Sequence, residues 1–174
     1  MLSQILPVLL FGCILGLNIT NKLIVCSFLF ILSVLITNLM AKLYHTANTL
    51  SIAMLCVLGS LALNWYNINI LFIGSSAAIT ISLFCSTNLF NILDKKFALS
   101  FPISNLISSA IVSIIDSIIV SIALLNKFQI NKVVEICLKD CVFKLSYVSV
   151  ITICIYAVLY FIEHLRKINI ASKA

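Results

Sequence analysis

Six long apolar blocks constrain this chain more than any other feature. They cover residues 2–17, 23–40, 50–63, 68–93, 103–125 and 133–161, separated by short polar links. A helix needs about 20 apolar residues to cross some 30 Å of hydrocarbon, so each block is read as a membrane-spanning helix. The third is short and crosses only if its flanks extend it or the bilayer thins. Charged residues make up 9% of the chain, against about 25% in soluble domains, and mean hydropathy is +1.23. The expected fold is therefore an all-α integral membrane protein. Six transmembrane helices form one bundle, a single transmembrane domain over residues 1–174, with a basic cytoplasmic tail at 162–174.

Details at the block ends fit this reading. The first block lacks a basic start, so no cleaved signal peptide is expected. Leu10-Phe11-Gly12-Cys13 only faintly resembles a lipoprotein cleavage box. Trp65 and Tyr66 fall where an interfacial aromatic belt would stand. Pro102 falls in the first turn of the fifth span, where a missing N–H costs little. With both termini cytoplasmic, Lys42, Lys95, Lys96, Arg166, Lys167 and Lys173 lie inside. Only Lys22, Lys127 and Lys132 then lie outside, and the positive-inside rule favours that orientation.

Composition excludes several functions. The net charge of +6 comes from scattered basic residues, so no nucleic-acid partner is expected. Five acids and two histidines offer little for a metal site or for acid–base catalysis. There is no P-loop, HExxH, CxxC or Gly-x-Ser-x-Gly pattern. No enzyme activity, catalytic residue, metal or cofactor is expected. The seven cysteines read as small buried hydrophobes, and His45 as a solvated loop residue.

What remains is the polar content of the spans. Asp116 sits mid-block, where a carboxylate costs about 2.5–3.5 kcal/mol on insertion scales and needs a partner or a wet cavity. Asn105, Ser109, Ser113 and Asp116 share a helix face about 80° wide. Such a stripe suits the wall of a solute pathway, and it suits close helix packing equally well. In the last block Asp140 and Lys144 are one turn apart, with Lys139 beside them and Tyr147 one turn on. They either neutralise one another for folding or line the same cavity as Asp116. The fourth block carries Ser76, Thr80, Thr87 and Asn91 on one face, with Phe84 among them.

The run DCVFKL resembles the start of the last helix in the queuosine precursor transporter family, a bacterial group of six-helix vitamin-uptake-type proteins. SNLISSAIVSIIDS resembles that family's preceding helix, where an Asn and paired hydroxyl residues precede an Asp. NLFNIL and LNITNKLIV resemble family segments more weakly. Phe84 and Thr87 stand where the family usually shows Gln and Asp, and Asn38, Lys42 and His45 replace two acids and a glycine. Ser104 stands where a basic residue often precedes the Asn. The resemblance implies import of a nucleobase-like small molecule, a 7-deazaguanine or queuine, across the bacterial cytoplasmic (inner) membrane. A guanine-like edge presents two adjacent N–H donors that one carboxylate accepts together. The expected substrate-binding set is Asp116, Asp140, Lys144, Asn105, Ser109, Ser113 and Thr87, with Phe143 or Tyr147 stacking on the base. Two alternatives stay open: a binding subunit that needs energising partners, and a non-transporting assembly subunit. Oligomeric state is not legible.

Overall fold

The computed structural model describes residues 2–20, 22–67 and 70–171, with side chains over 4–20, 22–66 and 72–162. The described residues form six α-helices and no strand: α1 Leu2–Ile19, α2 Leu23–Leu43, α3 Thr46–Leu63, α4 Ile70–Asn91, α5 Phe101–Leu124 and α6 Ile130–Ala171. A 3₁₀ turn, Trp65–Asn67, follows α3, and a π-helical turn, Ile92–Lys96, finishes α4. Links this short send consecutive helices up and down beside each other. The connections after α1, α3 and α5 therefore share one end of the bundle. Those after α2 and α4 share the other.

Several bounds differ from the sequence expectation. Helix α3 starts at Thr46, not at 50, and so gains the length to cross. The four added residues include threonine and asparagine, whose polarity hides a helical turn from a hydropathy reading; Thr49 is in fact fully buried. Helix α2 runs past 40 to Leu43. The helical backbone of α6 continues through most of the expected tail, to Ala171, because nothing after residue 161 breaks it. The first two residues of the fourth block, at 68–69, lie outside the described residues. The side chains of Arg166, Lys167 and Lys173 do too. Five helices are long and apolar enough to cross a membrane, and Gln4–Ile19 is a shorter apolar helix.

Helix α2 is the hub. It packs against all five other helices, and Phe30, Ile31, Val34 and Met40 on it are almost completely buried. The most extensive interface joins α4 to α5. There Gly74 lets the backbones approach closely, since a Cβ at that position would stand 2.6 Å from the Cβ of Ala123. The chain leaves the π turn through Ala98, whose φ of 49° is left-handed. The Leu99 N–H then reaches the Leu93 carbonyl at 3.2 Å and closes the helix end.

Polarity runs inside out. Ser27, Ser33, Thr37, Asn38, Ser82, Ser86, Ser108, Ser113 and Ser117 are all at or near zero exposure. Val8, Leu55, Leu58, Ile122, Val142 and Ile153 face outward. Water-soluble folds put these classes the other way round. A bundle surrounded by hydrocarbon must instead pair its polar groups internally.

Candidate functional site

The site starts with three charged side chains that the bundle buries together. Helix α5 presents Asp116 and Ser117 inward, and α6 presents Asp140 and Lys144 one turn apart. Lys144 Nζ donates to Asp116 Oδ2 at 2.7 Å, to Ser117 Oγ at 3.1 Å and to Asp140 Oδ2. An ammonium has three protons, so this set commits all of them. The Phe30 ring of α2 covers the same ammonium, its centroid 4.7 Å away. All three charged side chains are at least nine-tenths buried.

The two carboxylates are not equivalent. Asp140 Oδ1 accepts from Ser27 Oγ of α2 at 2.7 Å, and its Oδ2 accepts from Ser117 Oγ at 2.6 Å as well as from Lys144. Asp116 Oδ2 accepts from Lys144, while its Oδ1 has only the Ser82 hydroxyl of α4, at 3.3 Å, among the described residues. Each carboxylate has about four lone-pair sites. Of the two carboxylates, Asp116 therefore has the more acceptor capacity to spare. The cluster also ties α2, α4, α5 and α6 to one point.

Asp116, Asp140 and Lys144 line a cavity of about 550 Å³, within the usual range for small-molecule pockets. Its walls come from the end of α1 (Asn18), the start of α2 (Cys26, Phe30), the start of α4 (Phe72, Ser75), α5 and α6. It reaches the bundle end that carries the α1–α2 and α5–α6 connections, where Thr20 and the exposed Lys127 stand.

The other expected site residues lie elsewhere. Asn105, Ser109, Ser113 and Thr87 are buried, yet none lines this cavity. Asn105 Oδ1 accepts from Asn38 Nδ2 at 2.9 Å in a separate network, where Asn38 also donates to Ser108 (3.1 Å) and accepts from Ser86 (3.0 Å). Ser113 and Thr87 turn their hydroxyls back to the carbonyls of Ser109 (2.6 Å) and Leu83 (2.7 Å). Ser109 Oγ is buried with no partner among the described residues. The reason is depth: the stripe on α5 runs from the cavity floor toward the opposite end of the bundle, and only its Asp116 end meets the open space.

The aromatic assignments also change. Phe143 and Tyr147 do not line the cavity, and Tyr147 packs edge-on against Phe28 at 5.4 Å. Phe30 and Phe72 take that place. Phe84 is 56% exposed and points away from the cavity; the inward hydroxyls of α4 next to the two networks are Ser82 and Ser86. Lys139 pairs with Glu135 at 2.5 Å on an exposed face. At the other end of the bundle Lys42 pairs with Asp94 at 3.0 Å, near His45, around a smaller hollow of about 280 Å³. No group of metal-ligating side chains occurs among the described residues.

Sequence reasoning missed Ser27, Ser82 and Ser117. Ser117 was within reach, because the four-residue spacing of Ser109 and Ser113 continues to it. Ser27 and Ser82 sit on helices whose inward register no charged residue marks. Fold and site together define an all-helical bundle of membrane-length apolar helices with a buried acid–lysine–acid cluster at the floor of a cavity. No protein-family model, curated protein or solved structure matches the chain.

Proposed function

We propose that the chain is a multi-pass transporter of the bacterial inner membrane, with six spans and both termini cytoplasmic. Its solute is a queuosine precursor, a 7-deazaguanine-type base or queuine used in tRNA modification. The observation that carries the reading is the cavity floor, where Asp116 keeps acceptor capacity that no donor among the described residues fills. A guanine-like edge supplies two parallel N–H donors of matching geometry. Phe30 and Phe72 supply apolar walls for a planar ring. The resemblance of the last two helices to the queuosine precursor transporters supplies the substrate class. Asp140, which accepts from Ser27, Ser117 and Lys144, then acts as a positioning residue that holds Lys144 in place.

The test is restoration of queuosine in tRNA in an importer-deficient strain fed the precursor, with membrane levels followed by blot. Wild type is expected to restore it. Failure despite normal membrane levels overturns the reading. The full commitment of Lys144 to internal partners favours a second reading, an assembly subunit whose charges only hold helices together. Under that reading Asp116→Asn would damage stability and leave no separate transport defect.

A further inference from the structure

The buried cluster is unbalanced in charge, and this deepens the reading above, on which it rests. With both carboxylates ionised, Asp116 and Asp140 bring two negative charges against the single ammonium of Lys144, an excess of one among the described residues of the cluster. The remaining contacts are neutral: the hydroxyls of Ser27 on α2, Ser82 on α4 and Ser117 on α5, and the Phe30 ring. Among the described residues the other titratable groups nearby are the thiols Cys26, Cys137 and Cys141, none of which carries positive charge. Lys127 also lines the cavity, but it is exposed near the α5–α6 connection, where water and salt screen it.

Donors and acceptors are unbalanced in the same direction. Lys144 has no proton left for a ligand carbonyl or anion, whereas Asp116 has lone pairs to spare. An anionic ligand would meet surplus negative charge and no Lys144 proton free to receive it. A neutral ligand would leave the charge uncompensated in a site that is otherwise low in dielectric. A ligand that brings both donors and one positive charge answers both deficits.

We propose that the cavity selects a monocationic heterocycle, one carrying an ammonium arm as well as a donor edge, over a neutral analogue of similar size. Within the proposed solute class this means the aminomethyl-substituted deazaguanine rather than the cyano-substituted one. The ring edge pairs with Asp116, and the ammonium offsets the charge shared with Asp140.

The experiment is competition binding to the full chain in lipid nanodiscs at neutral pH and low salt, with two matched pairs of probes. The first pair is 7-aminomethyl- and 7-cyano-7-deazaguanine. The second is 3-aminomethylindole and 3-cyanoindole, which keep the charge difference and lack the guanine edge. The ammonium form of the first pair is expected to bind more tightly by about tenfold or more, the scale of one charge-assisted hydrogen bond. Asp140→Asn, which makes the buried cluster neutral, should erase that preference. If Asp140→Asn does not fold, the two wild-type pairs still decide. Equal or tighter binding of the cyano base overturns charge selection and leaves recognition of the base standing. Ammonium preference in the indole pair, with neither deazaguanine bound, supports charge selection and overturns the choice of base. Absence of binding by all four overturns both.

Discussion

Asp140 is engaged at both oxygens and Asp116 effectively at one, and this difference sorts the effects of mutation. Asp116→Asn keeps the shape but turns an amide N–H₂ toward a donor edge. Loss of one charge-assisted hydrogen bond is worth about 1.5–3 kcal/mol, so precursor uptake should fall about tenfold or more at unchanged membrane level. Lys144→Met removes the cation that pairs with both buried carboxylates. Breaking a buried pair in this way costs about 3–5 kcal/mol, so the variant should unfold at markedly lower denaturant in a detergent unfolding series. Ser113→Ala should leave both readouts close to wild type, because its hydroxyl only returns to the Ser109 carbonyl of its own helix. The convergence of Asp116, Asp140 and Lys144 was legible because a charge in hydrocarbon must find a partner. Their serine partners were not: a serine on a membrane helix bonds its own backbone as readily as a neighbour, and composition does not distinguish the two.

Register decides which residues of an element matter, and register was only partly legible. On α5 the polar stripe and the buried face coincide, since Asn105, Ser109, Ser113 and Asp116 are all buried. On α4 polar residues occur around much of the circumference, and the expected stripe is the buried face only in part: Ser76 and Thr87 are buried, whereas Thr80 and Asn91 are half-buried. Phe84 faces out while Ser82 and Ser86 face in. What anchors α4 is long-range: the Ser86 bond to Asn38 and the close approach of Gly74 to Ala123. Neither is visible in a periodicity. Asn38→Leu would leave Asn105 and Ser86 without their shared partner in a dry interface, at a cost of about 1–3 kcal/mol for each buried group left unpaired. Gly74→Ala forces α4 and α5 apart beside the cavity wall and should cost about 1–3 kcal/mol. Ala98→Gly should act in the opposite sense: a left-handed residue with a Cβ carries about 1–2 kcal/mol of strain, which glycine removes. Detergent unfolding of the three variants, at matched lipid content, checks both directions.

At the scale of the whole molecule, the cavity sits at one end of the bundle and the basic residues favour the other. Among the described residues Lys42, Lys95 and Lys96 mark the end with the α2–α3 and α4–α5 connections. Lys22, Lys127 and Lys132 mark the cavity end, and Arg166 and Lys167, late in α6, weight the balance toward the former. Under the proposed topology, with the termini cytoplasmic, the cavity faces outward, the side from which the proposed import would draw its solute. Cys26 makes this testable, because its residue lines the cavity while lying only partly buried. In a variant that keeps Cys26 and replaces the other six cysteines, a membrane-impermeant maleimide should label intact spheroplasts. Saturating aminomethyl-deazaguanine should slow that labelling, because ring and thiol compete for one volume. Labelling confined to inverted vesicles would reverse the orientation. Labelling from outside that no ligand slows would leave the topology standing and remove the cavity from the transport route.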